Sequence, residues 1–535
     1  CAELVAAITQ NLDILATSYR DMPPRHRSLR AVFDNVWLLL TPSEQDRFSA
    51  LSIFVGSFSQ EAAAVVTGTP RPLLSTLVDK SLLREMGNGR YQLHNVLRQY
   101  AAEKLAASQQ QVLPQQHAAF YADWLHRQGK LLFTPAEIDV FQAIQADLDN
   151  VRAAWFWALN HESLPLLQQS IKSLRTFYNV QSRFQEGAEW LAQTAVILKP
   201  LAATNPSALM LYAQVLARWA SFAAWQGQNE QADALFTEAL QYARQVNDPQ
   251  ELGFVLLNKG YLTIVSGDYE TAGKEYQESL AHYRHTQDAH GISDALSALG
   301  GWHNVTGDWA SAKLCLQESV TIARDIKDEH SLRSSLTNLG NVYYLLGDYE
   351  QAKSHYEEVL PLCQKVGDRA AEAIILCNLG ALSEKAGNLP EAEQCLQGGI
   401  TLFTEANHPQ AVVHASTMLA SVFLEMRAFA RAQEILAQAL HQAIENKYEY
   451  LIPVAIFEVG RLYQALQQPL AALPLLLWLV EQPSAQAENC LEAQALIAVL
   501  LEPLSPVQKT AVHTQGASLD VTAVLAKLKR EIPET

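Results

Sequence analysis

The chain has 535 residues, of which 49% are apolar and 18% charged, a globular composition at a length that predicts several domains or a repeat array. Its formal net charge of −17 argues against binding nucleic acid or an anionic membrane through charge alone, and it favours basic or neutral partners. No apolar run reaches the roughly 18 residues of a membrane span, and six cysteines without a C-x-x-C pair indicate free thiols, so a cytoplasmic location is expected.

The first residues are typical of a helix that closes a longer segment. Four apolar residues share one helical face: Leu4, Ile8, Leu12 and Leu15. The chain also begins at Cys1 rather than at a methionine. We therefore expect it to be the later part of a longer protein, with residues 1–27 ending an earlier helical subdomain.

Residues 28–107 form a separate module, because their predicted helices and strands differ from the repeats that follow. The elements predicted in order are helices over 28–40, 42–54, from 59 onwards and over 73–82, a β-hairpin over 83–93, and a helix over 95–106. The second helix begins with a capping box, because Thr41 can cap, Pro42 suits the first helical position and Glu44 stands three residues after Thr41. A Gly-Asn-Gly turn at 87–89 predicts the hairpin. Helices closed by one hairpin make a winged helix.

A winged helix often binds DNA, but the charge of residues 28–107 argues against that function here. Eight Lys or Arg side chains are balanced by seven Asp or Glu side chains in this module. The helix before the hairpin carries little basic charge that could meet phosphate groups. DNA binding through this module is therefore the less favoured alternative.

Four strings in and around this module match a known family. They are Pro24-Arg25-His26-Arg27-Ser28-Leu29-Arg30, Leu51-Ser52-Ile53-Phe54, Leu77-Val78-Asp79-Lys80-Ser81-Leu82 and Tyr91-Gln92-Leu93-His94. The module resembles the winged helix of bacterial STAND signalling ATPases, which are relatives of the NB-ARC switches of innate immunity. The resemblance implies that an ATPase domain precedes it in the same protein, that ADP or ATP is the cofactor of the whole protein, and that the whole protein is at most a slow ATPase.

One histidine falls on the nucleotide-sensing motif of that family. There the winged helix folds over bound ADP, and the histidine of a Met-His-Asp motif contacts the β-phosphate. Leu93-His94-Asn95 matches at His94, so the resemblance implies that His94 senses nucleotide, whereas Asn95 departs from the aspartate and leaves that contact open. Imidazole can donate to phosphate and changes its charge near neutral pH. The alternative is a surface histidine at a helix N-terminus.

Residues 108–212 are predicted to be helical without a strict repeat. The resemblance to STAND proteins continues through residues 147–154, Asp-Leu-Asp-Asn-Val-Arg-Ala-Ala, which open a helix that carries Trp155 and Trp157. Both tryptophans are expected in the core.

Residues 213–466 repeat every 40 residues. Turns with glycine recur at Gly227, Gly267, Gly307, Gly347 and Gly387. Small residues recur at Ala220, Gly260, Gly300, Gly340, Gly380, Ala420 and Gly460, and large apolar residues at Phe236, Tyr276, Leu316, Tyr356, Leu396 and Leu436. Because two helices of one unit must cross closely, we expect the small residues at the crossings and the large ones in the groove between the helices. Asp248, Asp288, Asp328 and Asp368 are candidate N-caps.

This pattern resembles the tetratricopeptide repeat, in a long variant of about six and a half units. The expected fold is a mainly all-α superhelical solenoid, preceded by the small winged-helix domain. The resemblance implies a concave groove, lined by first helices, that binds a protein or peptide. Asn258, Asn338 and Asn378 share one register position and Asn341 lies one turn beyond Asn338, where asparagines of long-repeat relatives hold the ligand backbone. The alternative is a solvated or inter-repeat amide.

After residue 466 the repeat decays. Prolines stand at positions 469, 474, 483, 503 and 506, and we expect them to break the helices of residues 467–535. We expect this segment to be a helical cap that covers the last unit and shields its apolar face.

Catalytic motifs are missing from the sequence. It has no G-x-x-x-x-G-K-[ST], H-E-x-x-H or G-x-S-x-G, so no enzyme activity of its own is expected. His282, His285 and His290 lie near one another in the sequence, but no cysteine or close carboxylate completes a ligand set, so no metal is expected.

The favoured function is the sensor region of a STAND-type signal-transduction ATPase. The repeats would bind a protein or peptide, and the winged helix would relay that binding to a nucleotide switch. Two alternatives stay open: a tetratricopeptide scaffold without nucleotide switching, and a DNA-binding transcriptional regulator.

Overall fold

The computed structural model describes residues 29–132, 134, 136–181, 183–482 and 487–530. Within them lie 26 α-helices and three short strands. The chain divides into two compact units: unit 1 comprises residues 1–298 with 324–329, and unit 2 comprises residues 299–323 with 330–535. The helix expected over residues 1–27 lies outside the described residues. No helix in the described ranges is long and apolar enough to cross a membrane.

Unit 1 begins with a small α+β module. Its elements are α1 (Leu29–Leu38), α2 (Pro42–Ala50), a 3₁₀ turn (Leu51–Ile53), β1 (Ser57–Ser59), α3 (Gln60–Thr67), α4 (Arg71–Asp79), β2 (Arg84–Gly87), β3 (Arg90–Gln92) and α5 (Asn95–Glu103). The strands form one antiparallel sheet in the order β1-β3-β2, in which Phe58 of β1 pairs with Tyr91 of β3. Both aromatic side chains are buried and join the apolar core of the module.

The local signals of this module are largely confirmed. The Thr41 N–H donates to the Glu44 carboxylate at 2.7 Å and the Glu44 N–H donates to Thr41 Oγ1 at 3.3 Å, which completes the capping box. The hairpin turns at Asn88, as expected. The helix expected over 73–82 instead spans Arg71–Asp79. It starts earlier because a proline fits the first turn, and it ends earlier because Ser81 takes a left-handed φ of 59°.

The remaining described residues of unit 1 are mainly helical. Its helices are α6 (Ala107–Gly129), α7 (Glu137–Asn160), α8 (Leu164–Val180), α9 (Phe184–Ala202), α10 (Pro206–Trp225), α11 (Asn229–Val246), α12 (Pro249–Val265), α13 (Tyr269–Thr286) and the start of α14 (Ala289–Val305). Trp155 is buried as expected, and its Nε1 donates to Thr194 Oγ1 at 3.1 Å. Trp157 is partly buried: it packs against the edge of the same apolar core and stacks on His161.

Unit 2 continues the hairpins. Its helices are the end of α14, most of α15 (Trp309–Asp325), α16 (Glu329–Leu345), α17 (Tyr349–Val366), α18 (Arg369–Lys385), α19 (Leu389–Glu405), α20 (Pro409–Glu425), α21 (Phe429–Glu445), α22 (Leu451–Ala465), α23 (Pro469–Val480), α24 (Ala487–Leu501), α25 (Pro506–Ala517) and α26 (Val521–Arg530). The last helix packs on α21, where Gln433 Nε2 donates to the Leu528 carbonyl at 2.8 Å.

The two helices of a hairpin cross at the predicted small residues. A methyl group placed on Gly340 would lie 2.5 Å from Cε1 of Tyr356, and one on Gly260 would lie 2.7 Å from Cε1 of Tyr276. Gly380 faces Leu396 in the same way at 2.8 Å. The large residue therefore fills the space that the missing side chain leaves, and the prediction made from the 40-residue pattern is confirmed.

Turns and caps also follow the period. The five turn glycines all have positive φ values, between 74° and 85°. Asp248, Asp288 and Asp368 cap first helices by accepting a backbone N–H three residues on, at 3.0–3.2 Å. A second set of caps was not indicated by the pattern. Asp268 and Asp348, which directly follow turn glycines, cap the second helices of their hairpins.

The expectation that prolines break the helices after residue 466 is wrong for Pro469, Pro474 and Pro506. Pro469 and Pro506 occupy the first turns of α23 and α25, where a missing N–H costs nothing, and Pro474 lies inside α23 without ending it. The crossing contact of the repeat also continues here, since a methyl group on Gly460 would lie 2.8 Å from Cδ2 of Leu476. The hairpin pattern therefore extends one helix beyond the predicted limit.

Candidate functional site

His94 is exposed and occupies the N-cap position of α5. Its Nδ1 accepts a hydrogen bond from the Val96 N–H at 3.4 Å. Because Nδ1 accepts, the neutral ring carries its proton on Nε2, which is then a donor. His94 is therefore a surface histidine at a helix N-terminus, as the alternative interpretation described. In this position its Nε2–H is also available to donate to a ligand.

A buried polar cluster joins the sheet to the helices that follow it. We call it the junction network; it consists of Arg90, His117, Tyr121, Asp147 and Asn150. Arg90 Nη1 donates to Asp147 Oδ2 at 2.7 Å, and Tyr121 Oη donates to Asp147 Oδ1 at 3.0 Å. Asp147 and Asn150 are only 4% and 0% exposed, and they lie one turn apart on the same face of α7.

Asn150 holds the backbone on both sides of the bend that leads into β1. Its Oδ1 accepts from the Val55 N–H at 2.7 Å, and its Nδ2 donates to the Ser57 carbonyl at 2.8 Å. Arg90 donates to the same Ser57 carbonyl at 3.1 Å. Two side chains, one from α7 and one from β3, therefore satisfy backbone groups at the entry to β1.

Charge in the junction network is nearly balanced. Burial lowers the pKa of His117 to about 4, so its ring is neutral at physiological pH. Burial and the neighbouring Asp147 raise the pKa of Tyr121 well above its usual range, so the phenol stays protonated and donates. One arginine and one aspartate remain as the charged pair, with neutral groups around them.

The four asparagines expected in a groove have different environments. In unit 1, Asn258 Nδ2 donates to the Phe254 carbonyl of its own helix at 2.8 Å. In unit 2, Asn341 Oδ1 accepts both from Tyr356 Oη at 2.6 Å and from Asn378 Nδ2 at 3.0 Å. Asn338 is partly exposed on the same helix as Asn341. Asn341 and Asn378 therefore form an inter-repeat contact, as the alternative interpretation described. Contact of these asparagines with a ligand stays a prediction.

Two of the histidines considered for metal binding lie beside carboxylates, and His282 Nε2 is 3.8 Å from Glu278 Oε1. His290 Nε2 lies 3.4 Å from Asp294 Oδ2, and its Nδ1 contacts the Asp328 carboxylate. Carboxylates therefore do lie beside these histidines, although none was expected to complete a ligand set. Across the residues that the structure describes, no group of three or more His, Cys, Asp or Glu side chains could hold a metal ion.

Comparison with known proteins supports the repeat fold. A family model described as the MalT-like TPR region matches residues 292–531, and one described as anaphase-promoting complex subunit 5 matches residues 167–259. Proteins of Mycobacterium bovis and Mycobacterium tuberculosis, named as candidate HTH-type transcriptional regulators, are 28% identical over 319 residues. The match covers 50% of this chain and 36% of those proteins, so the chain spans about a third of their length.

A solved structure matches over nearly the whole chain. It is the crystal structure of a STAND protein with a tetratricopeptide repeat sensor from Pyrococcus horikoshii, with a TM-score of 0.56 and 16% identity. The match covers 99% of this chain and 71% of that chain. At this identity the likeness concerns the fold: the chain has a TPR-like solenoid of helical hairpins, similar to that of the STAND protein and to MalT-like TPR regions.

Proposed function

We propose that the chain is the sensor and relay region of a STAND-type signal-transduction ATPase. The helical hairpins bind a protein or peptide, and the module of residues 29–104 transmits that binding to a nucleotide-binding domain elsewhere in the protein. The junction network carries this proposal. It ties the sheet to α7 through buried hydrogen bonds, so a displacement of the helices must move the sheet or break the network.

The relay module is a winged helix in this proposal. Its element order, with a strand before α3 and α4 and a hairpin after them, supports that assignment. The hairpin is then the wing, and Arg90 at its base is the side chain that Asp147 holds. The wing is thereby fixed to the sensor rather than left free to contact another molecule.

Nucleotide sensing is assigned to His94. The N-cap hydrogen bond to Nδ1 directs the ring proton to Nε2, and the helix N-terminus behind it favours a negative charge. A β-phosphate oxygen of ADP could accept from Nε2 in the closed state. ADP or ATP is accordingly the proposed cofactor of the whole protein, and release of this contact is the proposed step towards the active state.

Transcription regulation is the proposed output, because the mycobacterial relatives carry that description. Direct DNA binding by residues 29–104 is less favoured. Lys80, at the end of α4, is paired with Glu44 at 2.7 Å, and Arg90 is paired with Asp147. Two of the basic groups that could meet phosphates are thus already engaged.

The first test is the reading frame upstream of the Cys1 codon. A strand followed by G-x-x-x-x-G-K-[ST] in that frame would support the nucleotide switch. An upstream frame that encodes no such loop would leave a scaffold built from helical repeats as the better explanation.

The second test separates sensing from capping at His94. In the protein expressed from the complete frame, His94→Asn retains an N-cap side chain but loses the imidazole, whereas His94→Ala loses both. We expect both variants to release a fluorescent ADP analogue faster than the parent, with exposed His513→Ala as the control. Faster release by His94→Ala alone would assign the residue a capping function only and refute the sensing proposal.

A further inference from the structure

Exposed apolar side chains collect at two successive hairpin turns of unit 2. These turns join α14 to α15 and α16 to α17, where a first helix ends and a second helix begins. The side chains are 38–55% exposed, and we call them the turn patch: Val305, Trp309, Leu345, Leu346 and Tyr349. Single exposed apolar residues are common on proteins, but five on neighbouring turns are typical of an interaction site.

The two turns are neighbours because their hairpins share one core. Ser319 of α15 and Ser335 of α16 are hydrogen-bonded at 2.7 Å, and Leu316 and Leu339 belong to one buried apolar cluster. Packed helices lie roughly 8–10 Å apart, which is the length of about two turns of an α-helix. The turn patch therefore has the dimensions of a surface that a short helix could cover.

The repeat fold does not require apolar residues at these positions. Val305 and Leu345 are the last residues of their first helices. In two later hairpins the same register position carries Lys385 and Glu425, and both are exposed. Because charged side chains are compatible with the fold there, packing within the repeat does not explain the apolar residues of the turn patch.

The charges beside the turn patch are acidic. Residues 303–312 and 343–352 contain no lysine or arginine and three carboxylates, those of Asp308, Asp348 and Glu350. The lysines just beyond them are engaged: Lys313 Nζ lies 4.8 Å from the ring centroid of Tyr343, and Lys353 Nζ lies 3.8 Å from Glu357 Oε1. A partner that covers the apolar residues is therefore favoured if it carries lysine or arginine at its edges.

The chain itself docks one helix of this chemistry on unit 2. The apolar residues Val524, Leu525 and Leu528 of α26 are buried in a cluster with residues of α21, while its last turn is basic, with Lys527, Lys529 and Arg530. A basic amphipathic helix is thus a form that packs on this unit, and the turn patch presents a second apolar surface for one.

We propose that the turn patch docks a basic amphipathic helix of another protein. The helix places apolar residues at i, i+4 and i+7 over the patch, and lysine or arginine beside Asp308, Asp348 and Glu350. The proposal rests on the protein-binding role proposed above for the helical hairpins. It assigns to that role a surface at the turns, built largely from the turns and the starts of second helices, and a partner chemistry.

The first test titrates two synthetic peptides against the whole chain by fluorescence anisotropy. Both peptides are helices of about five turns with leucine along one face, and the borders of that face carry lysine in one peptide and glutamate in the other. We expect saturable binding of the lysine peptide alone, weakened by added salt. Absence of saturable binding by the lysine peptide would overturn the docking surface, and equal binding of both peptides would overturn the basic partner.

Variants then locate the binding site. Leu345→Lys copies Lys385 of a later hairpin, so the fold should tolerate it, and we expect it to weaken binding of the lysine peptide about tenfold or more. Leu345→Glu copies Glu425 and should weaken binding less, because it loses the apolar contact without adding a repelling charge. Leu314→Ser, at a 68% exposed leucine on another face of α15, is the control. Unchanged binding in Leu345→Lys, or an equal loss in Leu314→Ser, would contradict the proposal.

Two other occupants are outcomes of the same series. A concentration-dependent dimer of the chain in light scattering, abolished by Leu345→Lys, would show that a second copy covers the patch. Cosedimentation with phosphatidylcholine vesicles, abolished by the same substitution, would show that a lipid surface does. Either result would overturn the assignment to a basic helix of another protein.

The outcomes of these tests and of the proposed function can be told apart. Binding of the lysine peptide that Leu345→Lys weakens, with no nucleotide loop in the upstream frame, would preserve the docking surface and refute the switch. Faster ADP release in His94→Asn with no binding of the lysine peptide would do the reverse.

Discussion

The guanidinium of Arg90 lies 2.7 Å from the carboxylate of Asp147, although 57 residues separate the two side chains in the sequence. Arg90 starts the strand at the centre of the sheet, and Asp147 lies in the middle of α7. Asp147 is 4% exposed, so the pair is shielded from the screening that weakens surface ion pairs. This contact and the Asn150 hydrogen bonds join the sheet to α7, and the Tyr121 hydrogen bond joins α6 to the same aspartate.

Loss of Asn150 should therefore weaken the whole of this region. Asn150→Ala leaves the Val55 N–H and the Ser57 carbonyl without their side-chain partner, and we expect a loss of about 1–3 kcal/mol in the free energy of unfolding. Asp149→Ala, one residue earlier and exposed, should change it by less than about 0.5 kcal/mol. Urea unfolding followed by tryptophan fluorescence measures both, and equal effects would contradict a structural role for the network.

Two adjacent glycines provide a matched test of the helix crossing. A methyl group on Gly300 would collide with Leu316, so Gly300→Ala should cost about 1–3 kcal/mol through overpacking. A methyl group on Gly301 would meet nothing nearer than Asn338 Nδ2 at 3.9 Å. Gly301→Ala should therefore gain about 0.5–1 kcal/mol from helix propensity. Thermal unfolding of both variants would show opposite shifts; shifts of the same sign would contradict the crossing geometry.

His290 should make stability depend on pH in the alkaline range. Burial alone would lower its pKa, but the carboxylates of Asp294 and Asp328 outweigh burial and the charge of Lys172, and the pKa rises to about 9. The folded state therefore binds the proton more tightly than the unfolded chain does. This contribution is complete below the ordinary value of 6.5 and is lost as the pH rises to about 9.

His290→Gln should remove that dependence. The difference in unfolding free energy between the parent and the variant should be largest below about pH 6.5 and shrink towards pH 9. Exposed His513→Gln is the control and should run parallel to the parent. A constant difference between the parent and His290→Gln over this range would contradict the ion-paired state of His290.

Asn341 and Asn258 should differ in their effect on folding. Asn341→Ala removes the acceptor of the buried Tyr356 hydroxyl and of the Asn378 amide, and should cost about 1–3 kcal/mol. Asn258 bonds only a carbonyl of its own helix, so Asn258→Ala should stay within about 0.5 kcal/mol. Chemical unfolding gives both values. A ligand contact is consequently best sought at Asn258, where loss of binding would not reflect loss of structure.

The repeat architecture could be predicted from the sequence because its determinants lie close together in the chain and recur. Gly340 and Tyr356 belong to one hairpin, and the same pair of positions occurs in seven hairpins, as Gly or Ala opposite Phe, Tyr or Leu. Turn glycines and helix caps are likewise local, so their periodic placement along the chain is enough to indicate them.

The polar contacts could not be predicted in this way. The string that contains Asp147 and Asn150 carries a family resemblance, but nothing in its spacing names Arg90 or the Val55 backbone as partners. A signal was present, since two polar residues one turn apart on an apolar helix face need partners. The prolines after residue 466 misled because Pro469 fits the first turn of α23 and the helix continues through Pro474.

The spacing between each crossing glycine and its large partner has an evolutionary consequence. The Tyr356 ring fills the space beside Gly340 within a single hairpin, so each unit supplies both residues of its own helix crossing. Duplication or deletion of one 40-residue segment would keep a small residue opposite a large one at every helix crossing. A change of another length would shift this register, so that two large side chains meet at a crossing. Descendants of this array should therefore differ in length by whole units.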